Sequence, residues 1–448
     1  MADPLAGPQL AVPADTGTAS LLRVATAGSV DDGKSTLVGR LLYDAKAVLA
    51  DQLAAVQDAS RRRGYSEADL ALLVDGLRAE REQGITIDVA YRYFATARRS
   101  FVLADTPGHV QYTRNMVTGA STADVAVVLV DARAGLVEQS RRHATIAALL
   151  GVGHLVLAVN KMDLVGWSED VFDGVLCEFA ELAEDRGVRS WSAVPVSALH
   201  GDNVVTRSDR LAWYAGPPLL ELLETVQPPM PGAGAVGSRF PVQLVVRPRT
   251  AAHPDYRGYA GRVAAGVLRV GDPVTVLPSG WGTSVAGIDT ADGPLEEAAA
   301  GRSVIVRLAD AVDVSRGDLL AGPGEPPMVT RELTATVCWL AETALAPASR
   351  WRVRHGTRDV RGVVAEVHDV LDVTSGRHRR AEALGLNDIG TVTLRTAEPL
   401  VVDPYAASRR TGGLLLVDEL GGATAGAGMI ATQPPGTGSG KPDGGRES

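Results

Sequence analysis

Cysteine is almost missing from this 448-residue chain, which carries only Cys177 and Cys338. Two thiols so far apart build neither a disulfide framework nor a Cys-x-x-Cys metal site, so a reducing cytoplasm is the expected compartment. Aromatic residues make up only 4% of the chain while apolar residues reach 45%, so the core must be aliphatic. A basic excess is missing too. Lys plus Arg number 44 against 53 Asp plus Glu, a net charge of −9, which argues against a general nucleic-acid or anionic-membrane binder. No apolar run approaches the ~18 residues of a membrane span. The opening stretch MADPLAGPQLAVPADTGTAS lacks a basic segment and a sustained apolar run, and does not read as a signal peptide. No internal repeat recurs at a fixed period.

What is there divides into blocks, about three domains by length. Residues 1–20 are rich in Ala, Pro, Gly and Thr and read as a mobile tail. Over 21–228 short apolar runs (LLRVATAG, FVLADTPGH, VAVVLVDA, HLVLAVNKMD, WSAVPVSAL) alternate with helical spacing such as QSRRHATIAALLGV. That alternation predicts an open α/β domain, and the near absence of polar residues in VAVVLVDA predicts a parallel strand covered on both faces. VQPPMPGAGAVGSR, residues 226–239, reads as a linker. Beyond it helical spacing fades, and short β runs separated by Gly, Pro and Asp predict two small antiparallel β-barrels, over 238–325 and 328–430, joined at GEPP. Residues 433–448, QPPGTGSGKPDGGRES, read as a disordered tail. Its GSGK lacks the first glycine of a phosphate loop, and proline follows the lysine.

Gly28-Ser29-Val30-Asp31-Asp32-Gly33-Lys34-Ser35-Thr36 follows a strand run and opens a helical one. Residues 28–35 fit G-x-x-x-x-G-K-[ST]. Glycines let backbone N–H groups wrap phosphate oxygens, Lys34 reaches the β/γ oxygens, and the Ser35 hydroxyl is placed to bind Mg²⁺. DTPGH, residues 105–109, ends the next clear strand. Asp105 stands where a P-loop fold places its second Mg²⁺-side carboxylate, and the Gly108 amide is placed to sense the γ-phosphate. By itself DTPG is an ordinary turn; after a phosphate loop it is more. NKMD, residues 160–163, selects the base. Guanine offers N1–H and N2–H₂ as neighbouring donors, and one carboxylate, Asp163, accepts both, whereas adenine would leave it unpaired. Asn160 contacts the base edge and ties loops together, and the Lys161 stem covers the ring. Ser197-Ala198-Leu199 follows a strand and offers N–H groups to O6. Thr86, in GITI, is placed to give Mg²⁺ its second ligand from a loop that orders only with the γ-phosphate. His109, next to the γ-sensing glycine, is a candidate to position the attacking water. The expected ligands are GTP and Mg²⁺, and no arginine finger is assignable.

Together these motifs resemble translational GTPases of the elongation-factor class, over nearly the whole chain from about Leu21 to Ile430. Elongation factor Tu usually carries His-Gly-Lys-Thr in the loop, where this chain has Asp32-Gly33-Lys34-Ser35. GSVDDGKSTLVGRLLYD, LALLVDGLRAEREQGITIDVAYRYF, HVQYTRNMVTGAS, LHGDNVV, DYRGYAGRV and DVSRGDLL are more similar to the GTPase subunits of ATP sulfurylase. That resemblance implies a heterodimer or larger complex in which a separate catalytic subunit joins ATP and sulfate into adenylyl sulfate and pyrophosphate, driven by GTP hydrolysis here. It implies phosphate binding by 28–35, metal support by Ser35, Thr86 and Asp105, water orientation by His109 and guanine binding by Asn160, Lys161, Asp163 and 197–199. Some members carry a fused adenylylsulfate kinase, for which this chain shows only its Gly/Pro-rich tail. No nucleic-acid or membrane partner is expected. Two alternatives remain at this level: an elongation-factor-like carrier of aminoacyl-tRNA, and a nucleotide sensor with negligible turnover.

Overall fold

A computed structural model describes residues 20–48, 50–62, 70–73, 88–228, 236–248, 255–373 and 375–431. The tails expected over 1–20 and 433–448 lie outside the described residues but for Ser20, as do Thr86 and the middle of the 226–239 linker. The chain divides into two compact units; Thr145–Gly153 group with the second, which otherwise follows Pro228.

In the first unit six strands, β1 (Ser20–Ala27), β2 (Ala90–Ala95), β3 (Arg99–Asp105), β4 (Val125–Asp131), β5 (His154–Asn160) and β6 (Trp191–Pro195), form one sheet in the order β2-β3-β1-β4-β5-β6. Its helices include α1 (Lys34–Asp44), α2 (Ala50–Arg62), α3 (Thr113–Ser121), the first part of α4 (Glu138–Leu149), α5 (Glu169–Asp185) and α6 (Leu219–Thr225). Every residue of β4 and β5 is buried, which is why both read as continuous apolar runs. β1 pairs in parallel with both β3 and β4. The strand order therefore reverses direction at β1, and α/β sheets hold ligands at the carboxyl end of such a switch point. The aliphatic core includes Leu22, Val24, Leu37, Leu41, Leu103, Val125 and Val127, and Phe94 stacks on Phe101 with ring centres 4.6 Å apart.

β2 is the element that the chain's apolar runs do not announce. AYRYFA lies at the sheet edge and runs antiparallel to β3. Only one of its faces is covered, so its burial alternates and Tyr93 points to solvent. The reversal into β3 is held by Thr96, whose hydroxyl accepts from the amides of Arg98 and Arg99, each at 3.2 Å.

The second unit contains two closed six-stranded antiparallel barrels. The first ring runs Pro273–Leu277, Leu319–Ala321, Arg239–Val246, Gly258–Arg262, Ser303–Leu308, Trp281–Thr290 and back to its start. The second runs Arg350–His355, Gly413–Val417, Thr424–Ile430, Met328–Trp339, Ile389–Val402, Arg358–Leu371 and closes likewise. Closure removes exposed strand edges. A buried ion pair fastens one barrel to the other. Arg239, from the first ring, is fully buried and donates from Nε and Nη2 to Asp403, just past the long Ile389–Val402 strand, at 3.1 and 3.0 Å. Its Nη2 also donates to the Glu325 carbonyl at 2.5 Å, while the Thr411 hydroxyl donates to Asp403 at 2.6 Å. With those hydrogen bonds made, the desolvated charges are tolerated; with one partner gone they are not. No helix among the described residues is long and apolar enough to cross a membrane.

Asp403→Ala should therefore destabilise the barrel pair by about 3–5 kcal/mol, because it strands a buried guanidinium. The double change Arg239→Met with Asp403→Leu should recover most of that loss. Denaturant unfolding of the full chain, followed by fluorescence of the buried Trp339 and Trp351, reads both; a single change as mild as the double one would contradict the pairing energetics.

Candidate functional site

The carboxyl ends of β1, β3, β4 and β5 meet at one edge of the sheet, where Asp131 of β4 lies in register with Asn160 of β5. A cavity of about 460 Å³ opens there, within the size range of small-ligand sites. Val30, Asp31, Gly33, Lys34, Ser35 and Thr36 line it from the loop after β1 and the start of α1. Gly108 and His109 line it from the loop after β3, and Asn160, Lys161, Asp163 and Leu164 from the turn after β5. Ser197, Ala198 and Leu199 line it from the loop after β6, and Ala71 completes it. Gly28, Ser29, Asp32 and Asp105 do not line it; Gly28, Ser29 and Asp105 hydrogen-bond to Lys34 or Ser35, which do, and Asp32 to Ser29. Thr86 lies outside the described residues.

The loop after β1 is held in shape from within. The Lys34 ammonium donates to the carbonyls of Gly28 and Ser29 at 3.1 and 2.6 Å. Burial pushes that ammonium below the ordinary lysine range, against the pull of Asp105, Asp32 and Asp31. The Asp32 carboxylate accepts from the Ser29 amide at 2.5 Å and from the Ser140 hydroxyl at 3.2 Å; burial raises its pKa despite those bonds. Gly33 takes φ +92°, and a Cβ there would lie 2.5 Å from Asn160 Nδ2. Only glycine fits both demands. Gly108 packs against the same loop, so that a Cβ would lie 2.3 Å from Lys34 Nζ.

Beside the lysine sits an oxygen cluster. Asp105 is fully buried and accepts from Thr26 Oγ1 at 2.7 Å and Ser35 Oγ at 3.1 Å. This serine–carboxylate pair is a hard-oxygen donor set of the kind that Mg²⁺ prefers. At the other end, Asn160 Nδ2 donates to the Asp32 carbonyl at 2.8 Å and Asn160 Oδ1 accepts from the Ala198 amide at 2.9 Å. Lys161 Nζ donates to the Asp31 carbonyl at 2.5 Å and pairs with Asp131 Oδ2 at 3.0 Å. Arg133 also pairs with Asp131, at 2.6 Å. Burial alone would raise the Asp131 carboxyl, but the hydrogen bonds from Arg133 and Lys161 win and hold it well below the usual carboxylate range. His200 lies 3.7 Å from Asp163.

Asp131, Thr26, Ser140 and His143 carry no signature in the sequence; each matters through a partner that strand order supplies. His143, on α4, is fully buried. Its Nδ1 accepts the Gly28 amide at 3.0 Å, and its other ring nitrogen lies 2.7 Å from the Gln139 side-chain amide. Burial, then the nearby Lys34 charge, lowers its pKa to about 3. An unfolded imidazole takes its proton near pH 6.5, so the unfolded state alone binds that proton between about 3 and about 6.5. The stability that His143 contributes is complete above that window and falls as pH drops through it, by up to about 1.4 kcal/mol per unit. His143→Asn keeps an acceptor for Gly28 but does not titrate. Between pH 7 and 5 it should lose about 2 kcal/mol less stability than the parent, measured as the difference in unfolding midpoints; parallel pH profiles would rule the linkage out.

The model of the elongation factor Tu GTP binding domain matches residues 19–230, and that of the GTP-eEF1A C-terminal domain matches residues 332–431. The bifunctional enzyme CysN/CysC of Mycobacterium tuberculosis is 56% identical over 92% of this chain and 67% of its own length. Sulfate adenylyltransferase subunit 1 of Methylorubrum populi is 52% identical over 92% of this chain and 87% of its own. The same subunit of Aeromonas salmonicida is 50% identical over the same shares. With a GTP-binding α/β domain, two closed barrels and identity at this level over nearly its whole described length, the chain belongs to the sulfate adenylyltransferase subunit 1 family.

Proposed function

We propose that this protein is the GTP-hydrolysing subunit of sulfate adenylyltransferase, coupling GTP hydrolysis to the formation of adenylyl sulfate and pyrophosphate from ATP and sulfate by a partner catalytic subunit in the cytoplasm. The observation that carries it is that Lys34, Asp163 and Ser197–Leu199 line one cavity, in a chain half identical to proteins of that name.

The loop 28–36 cradles the phosphates, and Lys34 exchanges its two carbonyl partners for β/γ oxygens. Ser35, Asp105 and Thr86 would hold Mg²⁺, which when bound offsets phosphate charge. The Gly108 amide senses the γ-phosphate, and His109 orients the attacking water from the same loop. Asp163 accepts both donors of the guanine edge, Asn160 braces it and Lys161 covers the ring. Adenylyl sulfate is a mixed anhydride whose sulfate is a weak nucleophile and a good leaving group, so its formation runs uphill. GTP hydrolysis pulls it forward only if the GTP and GDP states of this chain bind the partner, or its intermediates, with different free energies. On this reading, contacts of Thr86 and of Gly108–His109 with the γ-phosphate are what distinguish the GTP state from the GDP state. A carrier of aminoacyl-tRNA is not favoured, since the relatives at 50–56% identity bear names in sulfate activation or a bifunctional enzyme.

Two outcomes test this. Adenylyl sulfate formation by the protein combined with its catalytic partner should rise on adding GTP, and Lys34→Ala should abolish that rise; a yield indifferent to GTP would sink the coupling. Asp163→Asn should weaken GTP binding by roughly a hundredfold or more and favour xanthosine triphosphate, whose C2 carbonyl matches the new amide donor. Unchanged GTP affinity would refute the base assignment.

A further inference from the structure

Arg40 does not line the cavity, yet it grips the loop that closes the base end. It sits on α1 six positions past Lys34, about 9 Å along the helix axis. Its Nε donates to the Ala198 carbonyl at 3.3 Å and its Nη2 to the Leu199 carbonyl at 2.5 Å. Asp44, one turn on, holds Nη1 at 3.6 Å, and the guanidinium lies 5.9 Å from the centre of the Tyr43 ring. Gly201 packs on the arginine stem so closely that a Cβ would lie 3.2 Å from Cδ. The fork is thus aimed from several sides at two consecutive carbonyls.

We propose that Arg40 is a positioning residue for guanine recognition, turning the Leu199 amide toward O6 of the base. In a trans peptide the carbonyl and the following N–H point in opposite directions. Drawing the Ala198 carbonyl onto α1 therefore turns the Leu199 N–H away from α1, to the cavity side. The neighbouring amides are engaged within the protein: Ala198 N–H donates to Asn160 Oδ1 at 2.9 Å and His200 N–H to Ser197 Oγ at 3.4 Å. The Leu199 amide is the donor assigned to the ligand. Because Lys34 and Arg40 share one helix, the phosphate grip and the base grip are set at a fixed spacing. This inference rests on the cavity being a guanine pocket.

The test is equilibrium binding of GTP, inosine triphosphate and 6-thioguanosine triphosphate to the full chain and to Arg40→Met and Arg40→Lys. Inosine keeps O6 but lacks the 2-amine that Asp163 accepts; 6-thioguanosine keeps the amine but replaces O6 by a weak acceptor. Arg40→Met should weaken GTP and inosine triphosphate by the same factor, roughly tenfold for one misdirected hydrogen bond. It should change 6-thioguanosine triphosphate far less, and Arg40→Lys, which keeps the charge but not the planar fork, should fall between. Equal losses for all three nucleotides, or no loss for GTP, would overturn the role of Arg40. If the parent protein itself fails to prefer GTP over inosine triphosphate, the guanine pocket fails instead, and this role with it.

Discussion

One buried carboxamide joins the loop after β1 to the loop after β6. Asn160, 2% exposed, gives its amine to the Asp32 carbonyl and takes the Ala198 amide on its oxygen. A side chain with a donor at one end and an acceptor at the other is what such a bridge requires. Each bond is worth only about 1 kcal/mol net, but an unmade one at this depth costs about 1–3 kcal/mol. The bridge also sets what may stand nearby: Gly33 has no room for a side chain because the Asn160 amine is there.

The rest of the site is organised around charge that has been taken out of water. Lys34, Asp32 and Asp105 are all buried, and none is left to itself. The ammonium spends itself on two loop carbonyls, Asp105 takes two hydroxyls, and Asp32 takes an amide and a hydroxyl. Hydrogen bonds made in this way hold the dipoles of the cluster in fixed orientations. α4 contributes from behind, through Ser140 and His143, and α1 reaches the base loop through Arg40.

The second unit solves a similar problem with a different pair. Two aliphatic barrels, each closed on itself, are fastened by Arg239 and Asp403, with Glu325 and Thr411 completing the hydrogen bonds. With its hydrogen bonds made, that buried pair is tolerated where the barrels meet, and losing either partner would strand the other's charge.

Motifs whose function resides in consecutive residues were legible before any fold was known. GSVDDGKST, DTPGH and NKMD read as phosphate, metal and guanine motifs because each sets its backbone amides and side chains only a few positions apart, and the residues that line the cavity include members of all three. The alternation of apolar runs with helical spacing, followed by short β runs, likewise announced an α/β domain and two barrels, because burial on two faces or one leaves its period in the sequence. Other parts had no local signal. Asp131 meets Lys161 only because β4 and β5 run in register. His143 reaches Gly28 only because α4 packs behind the loop, and Arg239 finds Asp403 only when two barrels dock. β2 hides because an edge strand alternates where its neighbours do not. Spacing along the chain therefore carries the ligand motifs, while strand order and packing decided which distant side chains hold those loops in place, since a contact across a hundred residues exists only after the intervening chain has folded.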